Sequence, residues 1–320
     1  MLTSVPTCTE DQKNYVETCK DISGKLQLII HQALVDFKES KDEFLSQKIG
    51  KLFQVVGLYR QAFEKLNVKT KSEFDGLARR YFSSPEVRDA FDEITQSERD
   101  WDEALEEIDK TLNTSVAVQL KEGDTLPLEM TAVNARSKED IVARQAELKQ
   151  FGAEILIVSF GEQLGADNWL KETNCPFDMI LDPNRKIYLS FGLHRSVSKV
   201  WSCACMIYYV EQLLKGRQLP RPLENVHDDP QQMGGDFILD NTGRVVFSYC
   251  SKVSNDRPSV DQILAAIHSH ITQVKSKYSS SQYMSANGFF KLMRPVDIFL
   301  VAQANERSSL NQFLASASGL

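Results

Sequence analysis

The chain has 320 residues, 42% hydrophobic and 25% charged, an ordinary globular balance. No apolar run approaches the ~20 residues that a membrane helix requires, and the length predicts two domains. Net charge is −7; residues 1–114 hold 16 Lys+Arg against 22 Asp+Glu, so the acid excess is N-terminal and argues against nucleic acid or an anionic membrane as the main partner.

Residues 1–114 read as helix throughout. Leu26, Ile29, Ile30, Ala33, Leu34 and Phe37 recur at helical spacing. A longer stripe runs from Phe44 through Leu52, Val56, Tyr59 and Phe63 to Leu66. Phe74, Leu77 and Tyr81 mark a short third element. Ser84-Pro85 then starts a helix through Phe91, Trp101 and Leu112, a hydroxyl cap followed by proline at the first helical position. These stripes predict an all-α bundle with an aromatic core, alternatively a partner-binding helical module.

From residue 115 the pattern changes to strands alternating with helices. Short strands are expected at 116–120 and 126–133, and a helix over 138–150 opened by the Ser137 capping box and closed at Gly152. Residues 154–160 are almost continuously apolar, as in a central strand covered on both faces. A helix follows at 166–173, a strand at 177–181, and the turn Asp182-Pro183-Asn184. One helix is expected over 199–215, a hairpin over 237–249 about Asn241-Thr242-Gly243, and a closing helix at 260–268. Beyond 270 the chain is Ser-rich without strand signals, and 289–301 reads as a helix interrupted by Pro295. The expected layout is an α+β two-part chain: helical bundle 1–114, α/β domain 115–270, and a partly helical extension 271–320.

The order of α/β units and hairpin resembles the thioredoxin fold in its peroxiredoxin form. Phe151-Gly152-Ala153-Glu154 before an apolar strand is similar to the corresponding passage of the AhpC/TSA antioxidant families. So is the run from Cys175-Pro176-Phe177 through Leu181-Asp182-Pro183 and Arg185-Lys186-Ile187-Tyr188 to Phe191-Gly192-Leu193. Ser198-Lys199-Val200-Trp201, Gly216-Arg217, Gln232-Met233-Gly234-Gly235-Asp236-Phe237 and Arg257-Pro258-Ser259 resemble the peroxiredoxin-like 2 branch. The resemblance spans roughly residues 120–267. It implies thiol-dependent reduction of peroxides, with a thiol reductant or protein partner and no bound cofactor or metal.

The resemblance places the redox cysteine just before the first helix of the fold, where a helix N-terminus stabilises thiolate. That position falls near Asn134 and Ser137, and this stretch has no cysteine; no C-x-x-C occurs anywhere in the chain. Ser137 keeps the capping role without the thiol, because a hydroxyl needs a general base to act as nucleophile. The implied activity is therefore expected to be weak or lost, as in a pseudoenzyme. A non-catalytic binding or scaffold protein is the alternative, and a single-cysteine enzyme using Cys175 is a third reading.

The six cysteines, at 8, 19, 175, 203, 205 and 250, form no disulfide framework. With no basic-then-apolar leader at the N-terminus, a reducing cytoplasm is the expected setting. Cys203 and Cys205 stand two apart on a predicted helix and face different ways, which favours packing over a metal pair. His227-Asp228-Asp229 reads as a capping loop rather than a metal site. Gly234-Gly235 marks a close backbone approach. Lys199, Arg195, Arg185 and Arg217 read either as a basic surface for an acidic or thiolate ligand or as solvated helix-end charges.

Overall fold

A computed structural model describes residues 9–112, 121–124, 133–134, 144–174, 176–217, 229, 231–254, 256–279 and 298–303. In chain order its helices are α1 (Glu10–Glu39), α2 (Gln54–Lys65), α3 (Lys71–Arg80), α4 (Pro85–Leu112), α5 (Gln145–Gln150), α6 (Gln163–Thr173), α7 (Lys186–Ser190), α8 (Val197–Trp201), α9 (Cys203–Leu214) and α10 (Val260–Ser279). Its strands are β1 (Val133–Asn134), β2 (Ala153–Ser159), β3 (Asp178–Leu181), β4 (Gly235–Leu239), β5 (Val245–Cys250) and β6 (Ile298–Gln303). The chain is thus a helix-rich region over 10–112 followed by an α/β region. None of the described helices is long and apolar enough to cross a membrane.

The helical unit packs α1 against α4, with α2 and α3 beside them. Thr9 opens α1 with a capping box: its hydroxyl accepts from the Gln12 N–H, and the Gln12 side chain accepts from the Thr9 N–H. The apolar stripe from Phe44 to Leu66 is not one regular helix. A π-helical turn (Phe44–Lys48) and a 3₁₀ segment (Ile49–Phe53) precede α2. The wide turn followed by tight ones shifts the register locally, so that Phe44, Ile49, Leu52, Val55, Tyr59 and Phe63 all face the core. Tyr15, Phe74 and Trp101 complete that core.

Residues 196–217 also belong to this unit rather than to the α/β one. The single helix expected over 199–215 is two helices, divided at Ser202, whose hydroxyl accepts from the Cys205 N–H and so caps α9. One face of α4 holds them. Trp101 Nε1 donates to the Trp201 carbonyl at 2.9 Å. Asp109 accepts from the Ser196 and Ser198 hydroxyls and from the Val197 and Ser198 N–H groups, at 2.6–3.0 Å. Asp102 accepts from the Cys203 N–H at 2.9 Å.

Burial pushes the Asp102 carboxyl up to about 6 from an ordinary 3.8, against the opposing Cys203 hydrogen bond and with help from Glu98 and Glu106. The unfolded chain releases this proton near 3.8 while the folded one holds it to about 6. Stability contributed here therefore falls as pH rises through that window and stays low above it. Asp102→Asn keeps an acceptor for the Cys203 N–H and carries no charge. It is expected to match the parent at pH 4 and to exceed it at pH 7.5 by on the order of 1 kcal/mol, a partly solvated group delivering less than its full shift. Urea midpoints at the two pH values check this, and a gain equal at both would refute the burial penalty.

The α/β unit is built on a six-stranded sheet of order β1-β3-β2-β6-β4-β5. Strands β3, β2 and β6 run parallel; β1, β4 and β5 are antiparallel to their neighbours. The alternation of β2 and β4 divides two apolar layers. Ile157 and Ile238 face a cluster with Leu148, Trp169, Met179 and Ile263. Val158, Phe237 and Leu239 face one with Tyr188, Phe191 and Val245. Such two-sided burial is why residues 154–160 lack polar alternation. Gly152, at φ +74°, turns the chain from α5 into β2.

Three expectations change. Of the helix expected over 289–301, residues 298–301 are instead part of strand β6, since Ile298-Phe299-Leu300-Val301 is a β-prone apolar run; residues 289–297 lie outside the described residues. The closing helix is longer than 260–268 and runs to Ser279. The Gly235 approach is internal: a Cβ there would lie 2.5 Å from the Tyr249 carbonyl oxygen and 2.9 Å from the Phe237 ring. The strands expected at 116–120 and 126–132 and the helix start at Ser137 lie outside the described residues.

Candidate functional site

In open α/β sheets, ligands collect outside the carboxyl ends of the parallel strands. Here Phe160 follows the last residue of β2 and Asp182 the last residue of β3. Asp182 is buried, and its carboxylate accepts from the N–H groups of Lys186 (2.9 Å), Ile187 (2.7 Å) and Tyr188 (3.1 Å), satisfying the first turn of α7. Its own N–H donates to the Ser159 carbonyl, tying the turn to the end of β2. Tyr188 closes the loop by donating its hydroxyl to the Val158 carbonyl at 2.9 Å.

This turn forces Arg185 into the left-handed region, at φ +54°. Its guanidinium lies 4.9 Å over the Phe160 ring and meets Asp229 at 3.0 Å. Arg195 reaches the same carboxylate oxygen at 2.6 Å and also donates to the Gln231 side chain at 2.8 Å. Asp229 in addition accepts from the Gln231 N–H. Two guanidinium groups on one carboxylate leave one unit of positive charge. Arg195 is half-exposed, so this face is suited to an anionic group.

An L-residue at positive φ costs about 1 kcal/mol that glycine avoids. Arg185→Ala and Arg185→Gly both lose the ion pair and the ring contact. The glycine variant is nevertheless expected to be the more stable of the two by about 1 kcal/mol in urea unfolding. Equal midpoints would show that the turn relaxes without the guanidinium.

The sequence-predicted residues fall as follows. Arg185, Arg195 and Asp229 come together. Lys199 and Arg217 belong to the helical unit. His227 and Asp228 lie outside the described residues, as do Ser137 and Cys175. Asn134 ends β1 at the sheet edge, paired with Ile180 of β3.

The described thiols lie in buried or half-buried packing positions. Burial pushes Cys19 up to about 12 and Cys203 well above its ordinary value, the direction opposite to an activated nucleophile. Cys205 is buried and donates to the Lys199 carbonyl. Cys250, the described cysteine of the α/β unit, packs against the apolar layer beneath Phe191, with Sγ 3.5 Å from that carbonyl. The Arg185–Asp229–Arg195 grouping was not legible from spacing, since its members are ten and more residues apart; the Asp-Pro-Asn-Arg turn was its one local signal.

A sheet with parallel central strands, an Asp-Pro-x-Arg turn at their carboxyl ends and a hairpin at one edge make this a small α/β domain. Residues 140–252 match the family model of the AhpC/TSA antioxidant enzymes, so this segment is an AhpC/TSA peroxiredoxin-like domain. The match covers the Arg185 turn, Asp229 and the β4–β5 hairpin, and less than half of the chain. No curated protein and no solved structure matches the chain.

Proposed function

We propose that this chain is a peroxiredoxin-like protein with a modified thioredoxin fold whose thiol-peroxidase turnover is weak or lost, and that it acts in a reducing cytoplasm. The observation that carries the reading is chemical: the stretch before α5, around Asn134 and Ser137, has no cysteine and the chain has no C-x-x-C. The upward displacement of Cys19 and Cys203 supports it, since neither thiol offers thiolate at neutral pH.

The test is peroxide consumption by the full chain with dithiothreitol as reductant, together with sulfenic-acid trapping read residue by residue. The expected result is consumption no faster than dithiothreitol alone and no selective labelling. Rapid labelling of Cys175, abolished with turnover in Cys175→Ser, would overturn the reading in favour of a one-cysteine enzyme. A second reading, a binding or scaffold protein, is favoured by the Arg185–Arg195 pair, which presents a positive face with no described thiol at it.

A further inference from the structure

Two arginines reach one oxygen of Asp229 from separate stretches of the α/β unit. Arg185 Nη2 lies 3.0 Å and Arg195 Nε 2.6 Å from Asp229 Oδ2. The other carboxylate of this turn, Asp182, is already committed to the N–H groups of Lys186, Ile187 and Tyr188. A single carboxylate therefore faces two guanidinium groups that keep their protons at any physiological pH. Arg185 Nε, in addition, is enclosed and has no acceptor among the described residues.

Both groups are held in place before any ligand arrives. The Phe160 ring supports the Arg185 guanidinium at 4.9 Å, and Arg185 keeps a left-handed backbone, at φ +54°, to stand there. Arg195 donates through Nη2 to the side chain of the buried Gln231 at 2.8 Å. Its backbone bridges to Gln232, and beside it the Met233 N–H donates to the His194 carbonyl. Little side-chain freedom is left to lose on binding. The Arg195 side chain is nonetheless 49% exposed, against 14% for Asp229, so cation rather than anion meets the solvent.

The unit of positive charge left over selects the occupant. A second carboxylate beside Asp229 completes a neutral cluster of two guanidinium groups and two carboxylates, whereas a phosphoryl dianion overshoots it. The planar fork of a guanidinium also matches the two oxygens of a carboxylate. We infer that Arg185 and Arg195 form a carboxylate-binding site at the carboxyl ends of β2 and β3, whose ligand is the head group of a small organic acid. The site rests on the reading of the chain as a binding protein, and it names what the positive face binds.

The test is fluorine NMR of 4-fluorobenzoate mixed with the full chain at low salt, with 4-fluorobenzamide, neutral and of similar shape, as control. The benzoate line is expected to broaden and the benzamide line to stay sharp. Arg195→Gln should weaken binding about tenfold or more, as loss of a charged hydrogen-bonding group does. Arg195→Lys keeps the charge without the fork and should fall between parent and Arg195→Gln. Asp229→Asn adds one unit of positive charge and should tighten binding about threefold, the reverse of what a purely structural ion pair would give.

Equal broadening of the two probes, parent affinity in Arg195→Gln, or an Asp229→Asn variant that binds no tighter would each overturn the site. Displacement of the benzoate by inorganic phosphate at a tenfold lower concentration than by acetate would overturn the carboxylate assignment in favour of a phosphoryl group. The reading of the chain as a binding protein fails on a different observation, peroxide consumption by the same preparation.

Discussion

Trp101→Ala is expected to cost about 3–5 kcal/mol, the range for truncating a large aromatic side chain in a core. Trp101 is among the largest fully buried side chains, and its indole N–H is the donor to the Trp201 carbonyl. Truncation empties the space between α4 and α8 and strips that carbonyl of its partner. Trp101→Phe keeps most of the apolar volume and loses the hydrogen bond, so it should cost less, about 1–2 kcal/mol. Urea unfolding followed by circular dichroism at 222 nm separates the two. Because α4 holds residues 196–217 through this contact and through Asp102 and Asp109, limited proteolysis within 203–217 should accelerate in the alanine variant alone. A cost under about 1 kcal/mol, with no new cleavage, would mean that α8 and α9 do not pack on α4.

Asp182→Ala should have the next largest effect. Three N–H groups at the start of α7 share this buried carboxylate, and two of those bonds are themselves buried. Removing their acceptor is expected to cost about 2–3 kcal/mol, above an exposed cap, because the donors are left unsatisfied away from water. Asp182→Asn retains one acceptor oxygen and should cost roughly half of that. Hydrogen exchange of residues 186–193 is the direct readout. The same turn sets the backbone of Arg185 and the Tyr188 bond to Val158, so the alanine variant should also loosen the Arg185–Asp229 pair. Unchanged exchange in Asp182→Ala would remove the carboxylate from its place as organiser of the turn.

Local rules made much of this legible. Ser84-Pro85, Gly152 and Asp182-Pro183 announce element ends because each supplies a cap, a fixed φ or a positive φ within a few residues. The run 154–160 announces a central strand because burial on both faces removes alternation. The Asp-Pro-Asn-Arg turn was visible as a turn, yet its consequence, Arg185 held over Phe160 against Asp229, depends on a residue 44 positions away. Lys199 and Arg217 read either as a basic surface with Arg185 and Arg195 or as solvated helix-end charges; the break at Ser202 and the acceptors on α4 place them in the helical unit.

What the sequence by itself determined is the family of residues 140–252, the helical character of residues 10–112, and the want of any C-x-x-C in the chain. These follow from periodicity, motif order and residue identity, none of which needs a third dimension. Tertiary structure alone decided that residues 196–217 join the helical unit, that two arginines converge on Asp229, and that the middle of the sheet is filled by Ile298–Gln303. Each is a choice among distant partners. An apolar six-residue run carries the same local signal whether it packs as helix or strand, and only the open edges of β2 and β4 turn it into the central strand.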